Sequence, residues 1–181
     1  YLVDSFHPMA DGIALEGLKM VIENLPETIH NGSNLNARGN MLLAASMGAT
    51  AFQKGLGMIH SMAHPLSTEH NIHHGLANAL LISESIKFTT KQAVKTNNTE
   101  LLKKIDEVNS LFPDQFKGTT LHENIESLLS IIGINPGLSV YGISKDNIEY
   151  LSQLAFEDTC HLTHPFQVIE KDFYTVYLNS L

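Results

Sequence analysis

Cysteine occurs once in the 181 residues, at Cys160, and tryptophan does not occur at all. One thiol cannot close an internal disulfide, and a thiolate zinc site needs more of them. A reducing cytoplasm is the compartment this usage points to. Basic residues are scarce: 11 Lys+Arg stand against 19 Asp+Glu, a net charge of −8 with His neutral. Without a basic run, nucleic acid is excluded as a partner class, and the mild acidic excess bears mainly on solubility. No apolar run reaches the ~20 residues a membrane helix requires, so no membrane partner is expected. The opening YLVDSFHPMADG has neither the basic-plus-apolar layout of a signal peptide nor an initiating Met. The chain reads as a piece cut from something longer. Period-2 alternation is missing, as is a glycine-rich phosphate loop after a strand, so there is no dinucleotide fingerprint.

What remains is helical. Apolar residues make up 43% of the chain, enough for the core of one domain. Residues 8–25 place Ile13, Leu18, Val21, Ile22 and Leu25 on one stripe, with Pro8 and Asp11 suited to the first turn. Pro26 predicts a kink or a new turn. Ser33 or Asn34 can cap a helix over about 35–54, whose Ala, Met and Leu content predicts burial at the centre of the domain. A helix over 57–64 is expected to stop near Pro65, with a loop at 66–72 and a new helix from about His73. Further helices are expected at about 99–111, 120–132 (with Thr120 and Glu123 as a capping box), 145–159 behind Ser144, and 170–180. The fold class is therefore all-α, a single helical bundle over 1–181.

Chemistry concentrates in GLGMIHSMAHPLSTEHNIHHG, residues 55–75, which holds His60, His64, His70, His73 and His74, five of the ten histidines. Imidazole is the commonest metal ligand and titrates near neutral pH. His60 and His64 are four apart and share a helix face, the simplest ligand pair. His70, His73 and His74 are alternatives for a third ligand. Such a donor set suits Zn or Fe(II). Ser61 stands where an HExxH protease carries its glutamate, so that reading lacks a general base.

The same stretch, continued through GLANALLI, resembles the metal signature of the iron-containing (group III) alcohol dehydrogenases, G-x-x-H-x-x-A-H-P followed by H-G-x-x-N. The likeness extends upstream through P-x-x-D and A-R-x-x-M pieces and downstream through LAFEDTCHLTHP, similar to the family's A-x-x-D-x-C…N-P segment. It implies the C-terminal helical domain of a two-domain, dehydroquinate-synthase-like fold, with the Rossmann-like NAD(P) domain absent from this chain. It implies Fe(2+), with Zn or Mn as alternatives, and NAD or NADP bound through the missing domain. It assigns His60 and His74 to the metal, in place of the His60/His64 pairing, and His64 to an active-site role near substrate. The implied reaction interconverts small alcohols with aldehydes or ketones, the metal acting as Lewis acid. A homodimer is the assembly common in the family. The family's other two ligands, an Asp and a His, fall upstream of Tyr1, and Asp4 and His7 are read as a pair at the start of the first helix. His73 replaces the usual Pro, and His164-Pro165-Phe166 stands where Asn-Pro-Arg is common.

Phe52, Met58, Met62 and Leu66 are read as helix core before pocket lining, and Cys160 as a small hydrophobe before a nucleophile. Two rival functions predict different surroundings. A metal-dependent hydrolase should complete its site within this chain, although it wants His-Asp pairs and the sequence has no HD. A non-catalytic helical module should leave His60 and His74 in solvent or in ordinary helix-end hydrogen bonds. A stripped dehydrogenase domain should expose apolar surface where its partner domain docked.

Overall fold

The computed structural model describes residues 1–116 and 118–181. Among them the regular structure is helical: α1 (Pro8–His30), α2 (Leu35–Ala51), α3 (Met58–His70), α4 (His74–Lys95), α5 (Thr99–Asn109), α6 (Leu121–Ile131), α7 (Lys145–Glu157) and α8 (Glu170–Asn179), joined by short 3₁₀ turns. No helix is long and apolar enough to cross a membrane.

Local chemistry starts the helices. His7 caps α1, its Nδ1 accepting the Ala10 N–H at 3.2 Å, with Pro8 in the first turn. Asn34 caps α2 by accepting the Ala37 N–H at 3.1 Å. Before α6, Glu123 accepts the backbone N–H groups of Thr119 and Thr120 at 2.8 and 3.0 Å. Bonds from Thr119, then Thr120, hold its carboxyl down to about 2. The expected Thr120/Glu123 capping box is present, and the Thr120 hydroxyl also lies 3.0 Å from His122 Nδ1.

α3 lies at the centre of the main core. Met58, Met62, Ala63 and Leu66 pack with Ala77 and Leu81 of α4, Ile148 and Leu151 of α7, and Phe173 and Tyr177 of α8. Buried Tyr177 finds a polar partner by donating to the Met62 carbonyl at 2.6 Å. Met58, Met62 and Leu66 are thus core residues, while Phe52 is 55% exposed. A second cluster joins Ile86 and Ala93 of α4 to Leu101, Ile105 and Val108 of α5 and Leu121 and Ile125 of α6.

Three expectations need correction. α1 runs through Pro26 without starting a new turn, and α3 runs through Pro65 to His70, absorbing most of the expected 66–72 loop. Pro65 and Leu66 are both buried, and that packing outweighs the one intrahelical bond a proline removes. α2 is not central. It packs against α1, buries only Ala37 and Ala44, and leaves Leu35 and Leu42 79% and 73% exposed. Lys54, just past α2, is buried, paired with Asp11 of α1 and donating to the Tyr1 carbonyl at 2.9 Å.

Candidate metal centre

Glycines set the start of α3. Gly55 and Gly57 adopt φ of 112° and 77°, a region costly for other residues. A Cβ on Gly55 would collide with Thr163. The close approach lets the Thr163 hydroxyl accept the N–H groups of Leu56 and Gly57 at 3.1 and 3.3 Å. The first turn of α3 is thereby pinned to the segment that follows α7. At its far end α3 stops at Asn71, which is left-handed at φ 54°, a conformation Asn tolerates. The chain then turns back through His73 into α4.

This turn brings three of the five clustered histidines together. The ring centroids of His60 and His74 are 5.4 Å apart, those of His64 and His74 5.3 Å, and those of His60 and His64 6.1 Å. His70 ends α3 and exposed His73 precedes α4, and neither takes part in these ring contacts. His7 is committed to capping α1. Phe52 meets His60 edge-on at 5.9 Å.

The His60–His74 pair suits a shared cation. Two imidazoles bonded to one tetrahedral ion at ~2.0–2.1 Å place their centroids ~5 Å apart. Nδ1 of His60 is buried and has no hydrogen-bond partner, an orphan that a folded protein seldom leaves. Burial, then the charges of His74 and His64, lower the His60 pKa. Burial, then His64 and His73, lower that of His74. Both rings are therefore held toward the neutral form a metal ligand needs. Asn78, one turn into α4, donates to the His74 carbonyl at 3.1 Å and lies 3.0 Å from its Nε2, competing for that lone pair. His64 stacks nearly parallel on His74, at 22°.

His64 has a partner that sequence reasoning missed. Its Nδ1 donates to Oδ2 of Asp158 at 2.7 Å, across 94 residues of chain. The other carboxylate oxygen accepts the Ser61 hydroxyl at 3.0 Å and the Cys160 N–H at 2.7 Å. Burial alone would raise the Asp158 pKa, but the bonds from His64, Cys160 and Ser61 outweigh it and bring it to about 2. Burial, then the hydrogen bond and charge of Asp158, push the half-buried Cys160 thiol up to about 11. It stays a thiol at neutral pH and makes a poor nucleophile. His64, Asp158 and Cys160 each offer a potential ligand atom, all within 4.8 Å of one another. The D-x-C piece at 158–160 was the available signal for this group.

Residues 1–181 match the family model described as Fe-containing alcohol dehydrogenase family, C-terminal. The chain belongs to that family. It is 30% identical over 180 residues to a 4-hydroxybutyrate dehydrogenase of Cupriavidus necator, covering 96% of this chain and 45% of the relative. It is 34% identical over 187 residues to an aldehyde-alcohol dehydrogenase of Clostridium acetobutylicum, covering 93% and 22%. The chain thus spans less than half the length of these curated relatives. A solved 1,3-propanediol oxidoreductase superposes over all of this chain and 47% of its own, with a TM-score of 0.85 and 23% identity, a likeness of fold alone. The iron-type dehydrogenase fold accounts for the bundle, and the expected family and all-α architecture both stand.

Proposed function

We propose that this iron-type dehydrogenase domain is the metal-binding half of an NAD(P)-dependent enzyme that interconverts small alcohols with aldehydes or ketones. The observation that carries the reading is the approach of His60 and His74 to 5.4 Å beside an orphaned ring nitrogen. Relatives named for 4-hydroxybutyrate, methanol and 1,3-propanediol support a small-alcohol substrate class. In this reading His60 and His74 hold Fe(2+), with Zn or Mn as substitutes. Two further ligands and the nicotinamide site lie outside residues 1–181, the nicotinamide site in a Rossmann-like domain. When bound, the cation supplies Lewis acidity toward the alcohol oxygen.

The chain's own residues do the rest. His64, one turn from His60, hydrogen-bonds the substrate hydroxyl and moves its proton. Its bond to Asp158 stabilises the imidazolium that results. The Phe52 ring, edge-on to His60, flanks one side of the site. A cytoplasmic setting, a homodimer and no nucleic-acid or membrane partner complete the proposal.

Calorimetric titration of the chain with Zn(2+), and with Fe(2+) under anaerobic conditions, tests it. Weak binding is expected, abolished by His60→Ala and by His74→Ala. Submicromolar affinity would mean that further groups of this chain, such as His70, act as ligands. Affinity unchanged by both substitutions would overturn the reading.

A further inference from the structure

Two donors converge on one carboxylate oxygen of Asp158 and leave the other to His64. Oδ1 takes the Ser61 hydroxyl and the Cys160 N–H, and Oδ2 faces His64 Nδ1 at 2.7 Å. Ser61 is fully buried and is itself held, its Oγ accepting the His161 N–H at 2.8 Å. The carboxylate therefore cannot turn without breaking bonds to both α3 and the segment after α7. A carboxylate only accepts, so the hydrogen on a neutral His64 must sit on Nδ1. That leaves Nε2 bare, on a ring stacked over His74 and 40% exposed.

We propose that Asp158 is a positioning residue that fixes His64 as the Nδ1–H tautomer, so that Nε2 is a hydrogen-bond acceptor for a hydroxyl substrate at the His60–His74 end of the site. The use of that acceptor rests on the function proposed above; the tautomer itself does not. Ser61 is the second element of the device, because it decides which carboxylate oxygen His64 meets. This gives the residue at the HExxH glutamate position a task. It lends no general base, but it orients the group that orients His64.

Asp158→Asn makes the test sharp. Ser61 and Cys160 both donate to the Oδ1 position, so the amide oxygen settles there and the amide nitrogen faces His64. That nitrogen can only donate, which forces the hydrogen of His64 onto Nε2. Long-range ¹H–¹⁵N correlation spectra of the labelled 181-residue chain, recorded where the ring is neutral and assigned with His64→Gln, read the tautomer directly. The expected result is protonated Nδ1 and bare Nε2 in the wild type, with the two exchanged in Asp158→Asn. A wild-type Nε2–H tautomer, or an unchanged tautomer in the variant, would overturn the proposal. If the variant does not fold, the wild-type spectrum decides alone, since in water the neutral ring favours Nε2–H. No metal or nicotinamide is needed. A correct tautomer in a chain whose cation affinity is unchanged by His60→Ala and His74→Ala would remove the metal-site reading and leave this one standing.

Discussion

Individual side chains here are set by what neutralises or fails to neutralise them. Lys54 is buried because Asp11 and a backbone carbonyl meet its ammonium. His164 is the opposite case. Its Nε2 is buried without a partner, and its ring packs edge-on against Phe166 at 4.4 Å. Burial, then the charge of His161, hold its pKa down at about 3 against an ordinary 6.5. The unfolded chain therefore binds a proton between these values that the folded chain refuses. Stability from this ring is complete above pH 6.5 and is lost as pH falls toward 3, by about 1.4 kcal/mol per pH unit. His164→Phe, which keeps the aromatic contact, is expected to flatten the acid limb of a melting-temperature profile across that window. An unchanged slope would show that the ring is already solvated in the native state.

Helices differ in how much of their stability is borrowed. α3 buries six of its 13 residues and persists through Pro65. α2 buries two of 17, so its hydrogen-bonded ends matter more. Asn34→Ala is expected to cost about 1 kcal/mol and to speed hydrogen exchange in the first turn of α2. A change confined to global unfolding, with no local effect, would contradict that. The same contrast explains what could be read in advance. Helix starts at Asn34, Ser144 and Pro8 are legible because each carries its own chemistry, a cap or a fixed φ. The fates of Pro26 and Pro65 are not, because they turn on packing partners distant in sequence. α2 misleads for a related reason: an apolar composition announces a buried face without naming what buries it.

At the scale of the whole molecule the bundle is a framework with one chemically dense end. The His60/His64/His74 group was legible because three donors fall within 15 residues. Its supports were not, since Ser61 and Thr163 are ordinary helix and loop residues until the fold makes them neighbours of Asp158 and Gly55. The domain also exposes Leu35 and Leu42 on one face of α2, seven apart. The described residues contain no strand and no dinucleotide-binding loop. Residues 1–181 alone are expected to give no NAD(P)-dependent oxidation of short alcohols, followed by nicotinamide absorbance. Clear turnover would mean that this bundle binds the nucleotide itself.

The turn at Asn71 divides the site by sequence separation. His60 and His74 are neighbours across a helical hairpin that closes within 14 residues, a contact formed quickly and cheaply in chain entropy. Asp158 reaches His64 only after α5 to α7 have docked, at the far end of a 94-residue span. Because α3 packs in one core with α7 and α8, the imidazole pair is not independent of the helix that brings the carboxylate. Heat or denaturant should therefore dismantle the whole centre in one cooperative step.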